Sequence, residues 1–282
     1  MTKLQDTAMH MVPAEQSPEK AKQLRLETRI DRCGILTYHS LAHDTTGGVL
    51  EKIYDHDNRL LKVVKRQGSG KSETYIDPAT GQRTRVTELA TMPDGNLINS
   101  DIVYHDHKKS SQIVTIFKQN GQLVRITERE SRGSMVTFQA QTDYDVNGTP
   151  SRTINQHTDA ESGLLMHREL IHWIGEGLRA MTEHFFFDVA GHTVRYTKSI
   201  HHSCGTIFSE ETQLFDPDSQ RLERRELAAY DSNGRQTCLD VLCYDGAGKL
   251  FERHSTFFDQ KGNPIVTRKS NAAASKENSL FR

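Results

Sequence analysis

The chain is poor in hydrophobic residues, and that shortage sets the first limits. Only 35 % of its 282 residues are hydrophobic, and a single tryptophan is present. A thick, three-layer α/β core needs more apolar material than this, so a thin or single-layer architecture is expected. No run approaches the ~18 apolar residues of a membrane-spanning helix. The first residues, MTKLQDTAMHMVPAEQSPEKAKQLRLE, contain no apolar stretch of the kind a cleaved secretory signal carries. The expected location is therefore the cytoplasm, or outside it by a route that needs no such signal. Neither sign of charge is in excess: 36 basic side chains face 37 acidic ones. That balance argues against a dedicated nucleic-acid binder, although it leaves room for a local basic patch. Cysteine is also scarce. Cys33, Cys204, Cys238 and Cys243 are expected as free thiols, and Cys238 and Cys243, five apart in one strand, should point to opposite faces.

What the chain does have is a repeated phrase, aromatic–Asp–x–x–Gly. It reads Tyr144-Asp145-Val146-Asn147-Gly148, Phe187-Asp188-Val189-Ala190-Gly191, Tyr230-Asp231-Ser232-Asn233-Gly234, Tyr244-Asp245-Gly246-Ala247-Gly248 and Phe258-Asp259-Gln260-Lys261-Gly262. A fixed repeat of this kind decides architecture before any single residue does. Weaker copies start at Thr158, Trp173, His201 and Phe215, which makes the intervals from Tyr144 onward 14 or 15 residues. In the Phe215 copy Ser219 takes the glycine place, and in the Thr158 copy Gly163 falls one residue late. Upstream, Phe117-Lys118-Gln119-Asn120-Gly121 is a good copy. Looser turns are read at Pro93-Asp94-Gly95-Asn96, Asp77-Pro78-Ala79-Thr80-Gly81 and Tyr54-Asp55-His56-Asp57-Asn58.

The phrase has the chemistry of a hairpin loop. An Asp carboxylate can accept hydrogen bonds from backbone N–H groups two residues on. Glycine supplies the left-handed conformation that closes a type I turn with a G1 bulge. On this reading Asp145, Asp188, Asp231, Asp245 and Asp259, with Gly148, Gly191, Gly234, Gly248 and Gly262, are structural turn residues. The segments between, such as Thr193-Val194-Arg195-Tyr196-Thr197-Lys198-Ser199-Ile200, are β-branched and mixed in polarity, as strands are. Leu164 to Phe187 looks helical by composition, but a helix would carry Gly175 and Gly177 in its interior at roughly 1 kcal/mol each. The repeat phase predicts two strands there, with a turn at Trp173–Gly177.

The expected fold is all-β: a long antiparallel meander of strand–turn units of about 14 residues, with about sixteen turns. Sixteen strands would spread to roughly 75 Å, so the sheet should curl into a barrel, a half-barrel or an open curved sheet. Strand centres such as Glu210-Glu211-Thr212, Arg224-Arg225-Glu226 and Glu252-Arg253-His254 are polar, which suits a wet cavity or a single layer. The β-repeat domain is placed at 31–267. Residues 1–30, whose composition allows a short helix around Glu19–Thr28, and residues 268–282 are read as mobile tails.

The phrases Tyr230-Asp231-Ser232-Asn233-Gly234-Arg235 and Tyr244-Asp245-Gly246-Ala247-Gly248-Lys249-Leu250 resemble the YD repeats of bacterial RHS proteins. The likeness is good over 144–267 and loose over 50–143. Family repeats run to around twenty residues and hold a whole hairpin, whereas the period here is about 14. What the resemblance implies is a curled β-sheet shell and a setting in interbacterial competition or host attack.

Candidate chemistry is dispersed. Asp55-His56-Asp57, His105-Asp106-His107 and His201-His202 are the densest histidine clusters. The first two occupy turn positions where such residues serve the loop, so no metal site is assigned. Glu169, Glu183, Glu210, Glu211, Glu226, Asp240 and Glu252, with His167, His172, His184 and His254, lie in strand interiors. A pair converging in a lumen could perform acid–base chemistry; solvated faces with cross-strand ion pairs account for the same residues. Cys204, after His201-His202-Ser203, sits in a tight turn where a lowered pKa would make it reactive. Gly68-Ser69-Gly70-Lys71-Ser72 lacks the spacing and context of a phosphate loop and reads as a hairpin loop, so no cofactor is expected. The function these features suggest is a non-enzymatic binding or scaffold protein with a protein partner, linked through the resemblance to a toxin or secretion system as effector, immunity protein or carrier. The alternatives are a hydrolase-like enzyme with a His/Glu site in a barrel lumen, and a carrier of a lipid or glycan held in a concave face.

Overall fold

A computed structural model describes residues 23–30, 36–106, 108–175 and 177–271. It is all-β, with nineteen strands and no helix among the described residues. The chain divides into two compact units, Met1–Arg83 and Thr84–Arg282. The first holds β1 (Gln23–Ile30), β2 (Leu36–His43), β3 (Val49–Tyr54), β4 (Leu60–Gln67) and β5 (Gly70–Ile76), each paired antiparallel with the next. The second begins with β6 (Arg83–Thr91), β7 (Leu97–Tyr104), β8 (Lys109–Phe117), β9 (Leu123–Arg132) and β10 (Met135–Tyr144). It continues through β11 (Pro150–Thr158), β12 (Leu165–Ile174), β13 (Leu178–Phe187), β14 (Thr193–His201) and β15 (Ile207–Phe215). It ends with β16 (Leu222–Tyr230), β17 (Gln236–Tyr244), β18 (Leu250–Phe258) and β19 (Pro264–Asn271). Here too every strand pairs antiparallel with its sequence neighbours.

The expected meander is therefore present. It is open: no described pairing joins β6 to β19. Strand structure also passes both limits drawn for the tails. Gln23–Ile30 is a strand, not part of a tail or of the helix allowed around Glu19–Thr28, because QLRLETRI alternates apolar and polar residues with period two. At the other end β19 runs to Asn271. Residues 1–22 and 272–282 lie outside the described set.

The turns explain the repeat. In the 14-residue copies other than Trp173, the first loop residue donates its N–H to the carbonyl four residues on, and the residue three on donates back to its carbonyl. For the Tyr144 copy these are Asp145 N to Thr149 O, 2.9 Å, and Gly148 N to Asp145 O, 3.1 Å. Gly148 has φ +78°, the left-handed conformation of a G1 bulge, and the register slips by one residue at Tyr144 as a bulge requires. The Asp does more than predicted: one oxygen accepts from both the second and the fourth N–H groups after it. Asp231 Oδ1 takes Asn233 N and Arg235 N, each at 2.9 Å, and Asp188 Oδ1 takes Ala190 N and His192 N, each at 2.8 Å.

Fifteen-residue intervals insert their extra residue into the loop. After Thr158 the bonds run Asp159 N to Leu164 O and Gly163 N to Asp159 O; after Phe215 they run Asp216 N to Arg221 O and Gln220 N to Asp216 O. The left-handed position in the second case is Gln220, φ +57°, and not Ser219 as the spacing suggested. Two further loops share the full bonding pattern. His43-Asp44-Thr45-Thr46-Gly47 follows the phrase and its bonding, and in the Tyr54 copy Asn58 carries the positive φ, +64°. The region of helical composition is two antiparallel strands, β12 ending at Ile174 and β13 beginning at Leu178, as the phase required. The Gly68-Ser69 pair is a two-residue hairpin loop between β4 and β5.

Turns at the same end of the second unit are stitched together. Gln122 Nε2 donates to Asp145 O at 3.2 Å, Thr206 Oγ1 to Ser232 O at 3.4 Å and Arg235 Nη1 to Gln260 O at 2.9 Å. Arg221 Nη1 donates likewise to Gly246 O. Each donor is the residue just after the left-handed one, so the repeat places it against the next-but-one loop.

Within each unit, the strand contacts among the described residues are those between sequence neighbours. The apolar core is small. Its buried hydrophobic members are Val64, Val86, Ile171, Ala228 and Leu242. Buried polar residues outnumber them, and several form one continuous cross-strand row: Thr153, Ile171, Thr182 and Ser199, then Glu210 and Ala228. We refer to this side of the second unit as the threonine face.

Candidate functional site

Strand alternation sorts the candidate side chains onto two faces. Glu169, Glu210, Glu226, Glu252, His167, His184 and His254 share the threonine face by register, whereas Glu183, Glu211, Asp240 and His172 share the other. The second group is spent on pairing. Glu183 accepts from the Tyr196 hydroxyl at 2.6 Å, and burial followed by this carboxylate pushes the Tyr196 pKa up. Glu211 pairs with Arg225 at 2.8 Å, and Asp240 with Arg253 at 2.5 Å. On the threonine face, Glu226 pairs with Arg224 at 2.7 Å, and Glu252 with His254 at 3.0 Å and with Lys269.

Three histidines of the threonine face assemble across β11, β12 and β13. Phe138, His157, His167 and Phe186 occupy directly opposed positions, and His184 lies diagonally beside His167. The rings of His167 and His184 are 8° from parallel with centroids 5.4 Å apart, while His167 Nε2 and His184 Nδ1 are 3.1 Å apart. They therefore meet edge to edge and share one N–H···N hydrogen bond. His184 Nε2 lies 3.8 Å from Glu169 Oε1, whose other oxygen accepts from Asn155 Nδ2 at 2.7 Å. Burial first, and then the neighbouring His184 and His157, push the His167 pKa below its ordinary value.

Beside this cluster, on β13 to β15, the threonine face opens into a trough of about 370 Å³. Its floor is Thr182, Thr197 and Ser199, all buried; His184, His201, Phe186, Ile207 and Glu210 line it, and Arg179 and Arg195 stand at its ends. Ser199 Oγ donates to Glu210 Oε2 at 3.1 Å, and Thr182 Oγ1 lies 3.2 Å from His201 Nε2. The arrangement offers hydroxyls, imidazoles and two guanidiniums to one ligand. The sequence singles out His184, His201 and Glu210 of these residues, but not Arg179, Arg195 or the hydroxyl floor. The signal was there: residues two apart on β14, Arg195, Thr197, Ser199 and His201, share a face.

The first unit contains a network that the sequence did not suggest. His39 Nδ1 is 2.7 Å from Glu51 Oε1, and His39 Nε2 is 3.0 Å from Thr37 Oγ1. Both His39 and Glu51 are buried. Burial alone would raise the Glu51 pKa, but the hydrogen bond from His39 and the charges of His39, Arg29 and Arg66 outweigh it and leave the pKa lowered.

The other clusters serve turns. Asp55, His56 and Asp57 have metal-like spacing, their ligand atoms lying within 4.8 Å of one another. Asp55 Oδ1, however, accepts from Asp57 N and Arg59 N, and its Oδ2 from Arg59 Nε. His105 Nε2 is 2.9 Å from Ser111 Oγ; His107 lies outside the described residues, as does Cys33. Cys204 sits two residues before Thr206, with Sγ 3.1 Å from its hydroxyl, the place Asp94 and Asn120 fill in their own turns. Bonding from the Thr206 hydroxyl and N–H lowers the Cys204 pKa. Cys238 and Cys243 are free and alternate across β17.

No protein-family model and no curated protein matches the chain. Among solved structures it is similar to a porin-like protein from Bacteroides uniformis, at 11 % identity over 88 % of this chain and 95 % of that one, with a TM-score of 0.20. It is also similar to TcdB2-TccC3, at 10 % identity over 89 % of this chain and 19 % of that one, TM-score 0.19. A third is the Tc holotoxin pore of Photorhabdus luminescens, at 10 % identity over 85 % and 19 %, TM-score 0.14. The chain thus spans about a fifth of those two toxin chains. At such TM-scores these likenesses say nothing of activity or partner. No helix among the described residues is long and apolar enough to cross a membrane. The fold and the site together define an open β-meander repeat protein with a polar trough on one face.

Proposed function

We propose that the chain is a non-enzymatic binding scaffold that acts through the threonine face of its second unit. One observation carries this reading: the face holds a built, polar trough whose side chains are already positioned by hydrogen bonds to one another. A rigid sheet with preset side chains costs little ordering entropy on binding. A role in a bacterial toxin or secretion system, as effector, immunity protein or carrier, is supported by the likeness of the turn phrase to YD repeats. The test is co-purification of a stoichiometric partner from the source cells, followed by hydroxyl-radical footprinting of the complex. Protection should fall on threonine-face residues such as Glu226 and His254; protection confined to the Glu183–Asp240 face would refute the reading.

A second reading is hydrolytic, favoured by the Thr37–His39–Glu51 geometry. A hydroxyl, an imidazole and a buried carboxylate in hydrogen-bonded series are the parts of an activated nucleophile. If a screen of activated esters finds turnover, Thr37→Val and His39→Gln must each abolish it. Turnover that survives both would rule out this site.

A further inference from the structure

From the trough we infer a ligand class: an elongated, acidic saccharide of about two to three rings. The inference rests on the proposal that the threonine face binds, and it names what that face takes. Four features converge on it.

The first is charge. Arg179 stands over Trp173, 5.7 Å from the ring centre, and Arg195 over Phe186, 5.4 Å. No carboxylate pairs with either among the described residues, whereas Arg125, Arg224, Arg225 and Arg253 all hold ion pairs. Aromatic faces orient the two guanidiniums and leave their N–H forks for an anion. Second is spacing. Arg179 and Arg195 stand at opposite ends of the trough. A ligand touching both must be elongated, and an anionic group at each end would meet a guanidinium fork.

Third is the lining. Thr182, Thr197 and Ser199 form a hydroxyl floor, with Glu210 and two histidines beside it and only Phe186 and Ile207 apolar. Such a lining suits an oxygen-rich ligand and offers a lipid tail little. His201 adds a further polar group, its Nε2 lying 3.2 Å from Thr182 Oγ1 in the floor. Fourth is the backbone. An extended peptide usually binds by adding a strand to a sheet edge. Strands β13, β14 and β15 are each paired on both sides, so no backbone groups are free for one.

The experiment is isothermal titration of the full chain with tri-galacturonate, neutral maltotriose and hexaglutamate. Tri-galacturonate should bind and the other two should not. Arg179→Gln and Arg195→Gln should each weaken binding about tenfold, the double variant by about a hundredfold, with unchanged thermal midpoints. Ser199→Ala, which keeps both charges, should weaken it several-fold. Binding of hexaglutamate in place of the saccharide, equal binding of maltotriose, no binding at all, or affinity unchanged in the arginine variants would overturn the inference. Footprint protection of the threonine face by a co-purified partner would leave the scaffold reading standing in each of those cases.

Discussion

Asp240 and Arg253 form the most enclosed ion pair of the second unit. The carboxylate is 2 % exposed and accepts from Arg253 Nη2 at 2.5 Å. Its other oxygen, Oδ1, and Arg253 Nε are buried without partners. The arginine is therefore what makes the buried charge tolerable. Arg253→Met should destabilise by roughly 3 kcal/mol, because it strands the carboxylate in a thin, dry layer. Asp240→Leu combined with Arg253→Met should recover most of that loss in urea unfolding. A single variant as stable as wild type would show that the pair contributes nothing.

The left-handed loop positions give a second prediction. A Cβ added at Gly148, Gly191, Gly234 or Gly248 meets no neighbour within 4 Å, so any cost of substitution is backbone strain alone. Gly191→Val, Gly234→Val and Gly248→Val should each cost more than ~1 kcal/mol. Gly234→Asn should cost clearly less, since Asn58 already holds the equivalent position at φ +64°. Equal unfolding midpoints for the valine and asparagine variants would contradict the G1-bulge assignment.

Acid should unfold the chain in two stages. His167 has a lowered pKa in the fold, so the unfolded chain binds the proton more readily. Stability should begin to fall as the pH drops below about 6.5, the ordinary histidine value. His167→Phe should flatten that part of the profile. The loop carboxylates Asp44, Asp55, Asp77, Asp159, Asp216, Asp231 and Asp259 are all held below their ordinary 3.8, by loop hydrogen bonds that in Asp55 also outweigh burial. Their contribution is present above 3.8 and lost as the pH falls through it. Glu73, bonded by Lys62 and Lys71, is held down to about 2, so its share in the first unit disappears between 4.5 and about 2. Stability measured from pH 8 to pH 2 tests all three; a flat profile below pH 4 would exclude the carboxylate role.

The cysteines should differ sharply in reactivity. Cys204 is exposed and its thiolate is favoured by bonds from Thr206, whereas burial and then the Asp240 charge push the Cys238 thiol up. Alkylation at neutral pH followed by peptide mass mapping should label Cys204 well before Cys238. Thr206→Val should slow Cys204; labelling of Cys238 first would show that the loop does not favour the thiolate.

Much of the fold was legible because its determinants are local. Asp231 reaches Asn233 and Arg235, and Gly234 needs only its own φ, so each loop is specified within five residues. The same logic resolved β12 and β13, where glycine spacing outweighed helical composition. It failed at Ser219 and Gln220, because a one-residue insertion can be taken up at several loop positions and spacing does not choose among them. It failed again at Gln23–Ile30, where no phrase-bearing turn marked the strand. The candidate site was less legible. His184 and Glu169 could be named as strand residues, but not the 3.1 Å contact of His184 with His167, which depends on the register between β12 and β13.

By itself, the sequence determined the loops, the strand length set by the distance between them, and the antiparallel order that short loops impose. Tertiary structure decided that the described sheet stays open, which face each polar side chain occupies, and which residues meet across strands. The physical reason is range. A turn is closed by hydrogen bonds four or five residues apart, whereas the Thr37–His39–Glu51 series and the trough between Arg179 and Arg195 exist only once separate strands have aligned, and a shift of one residue would move every member to the opposite face.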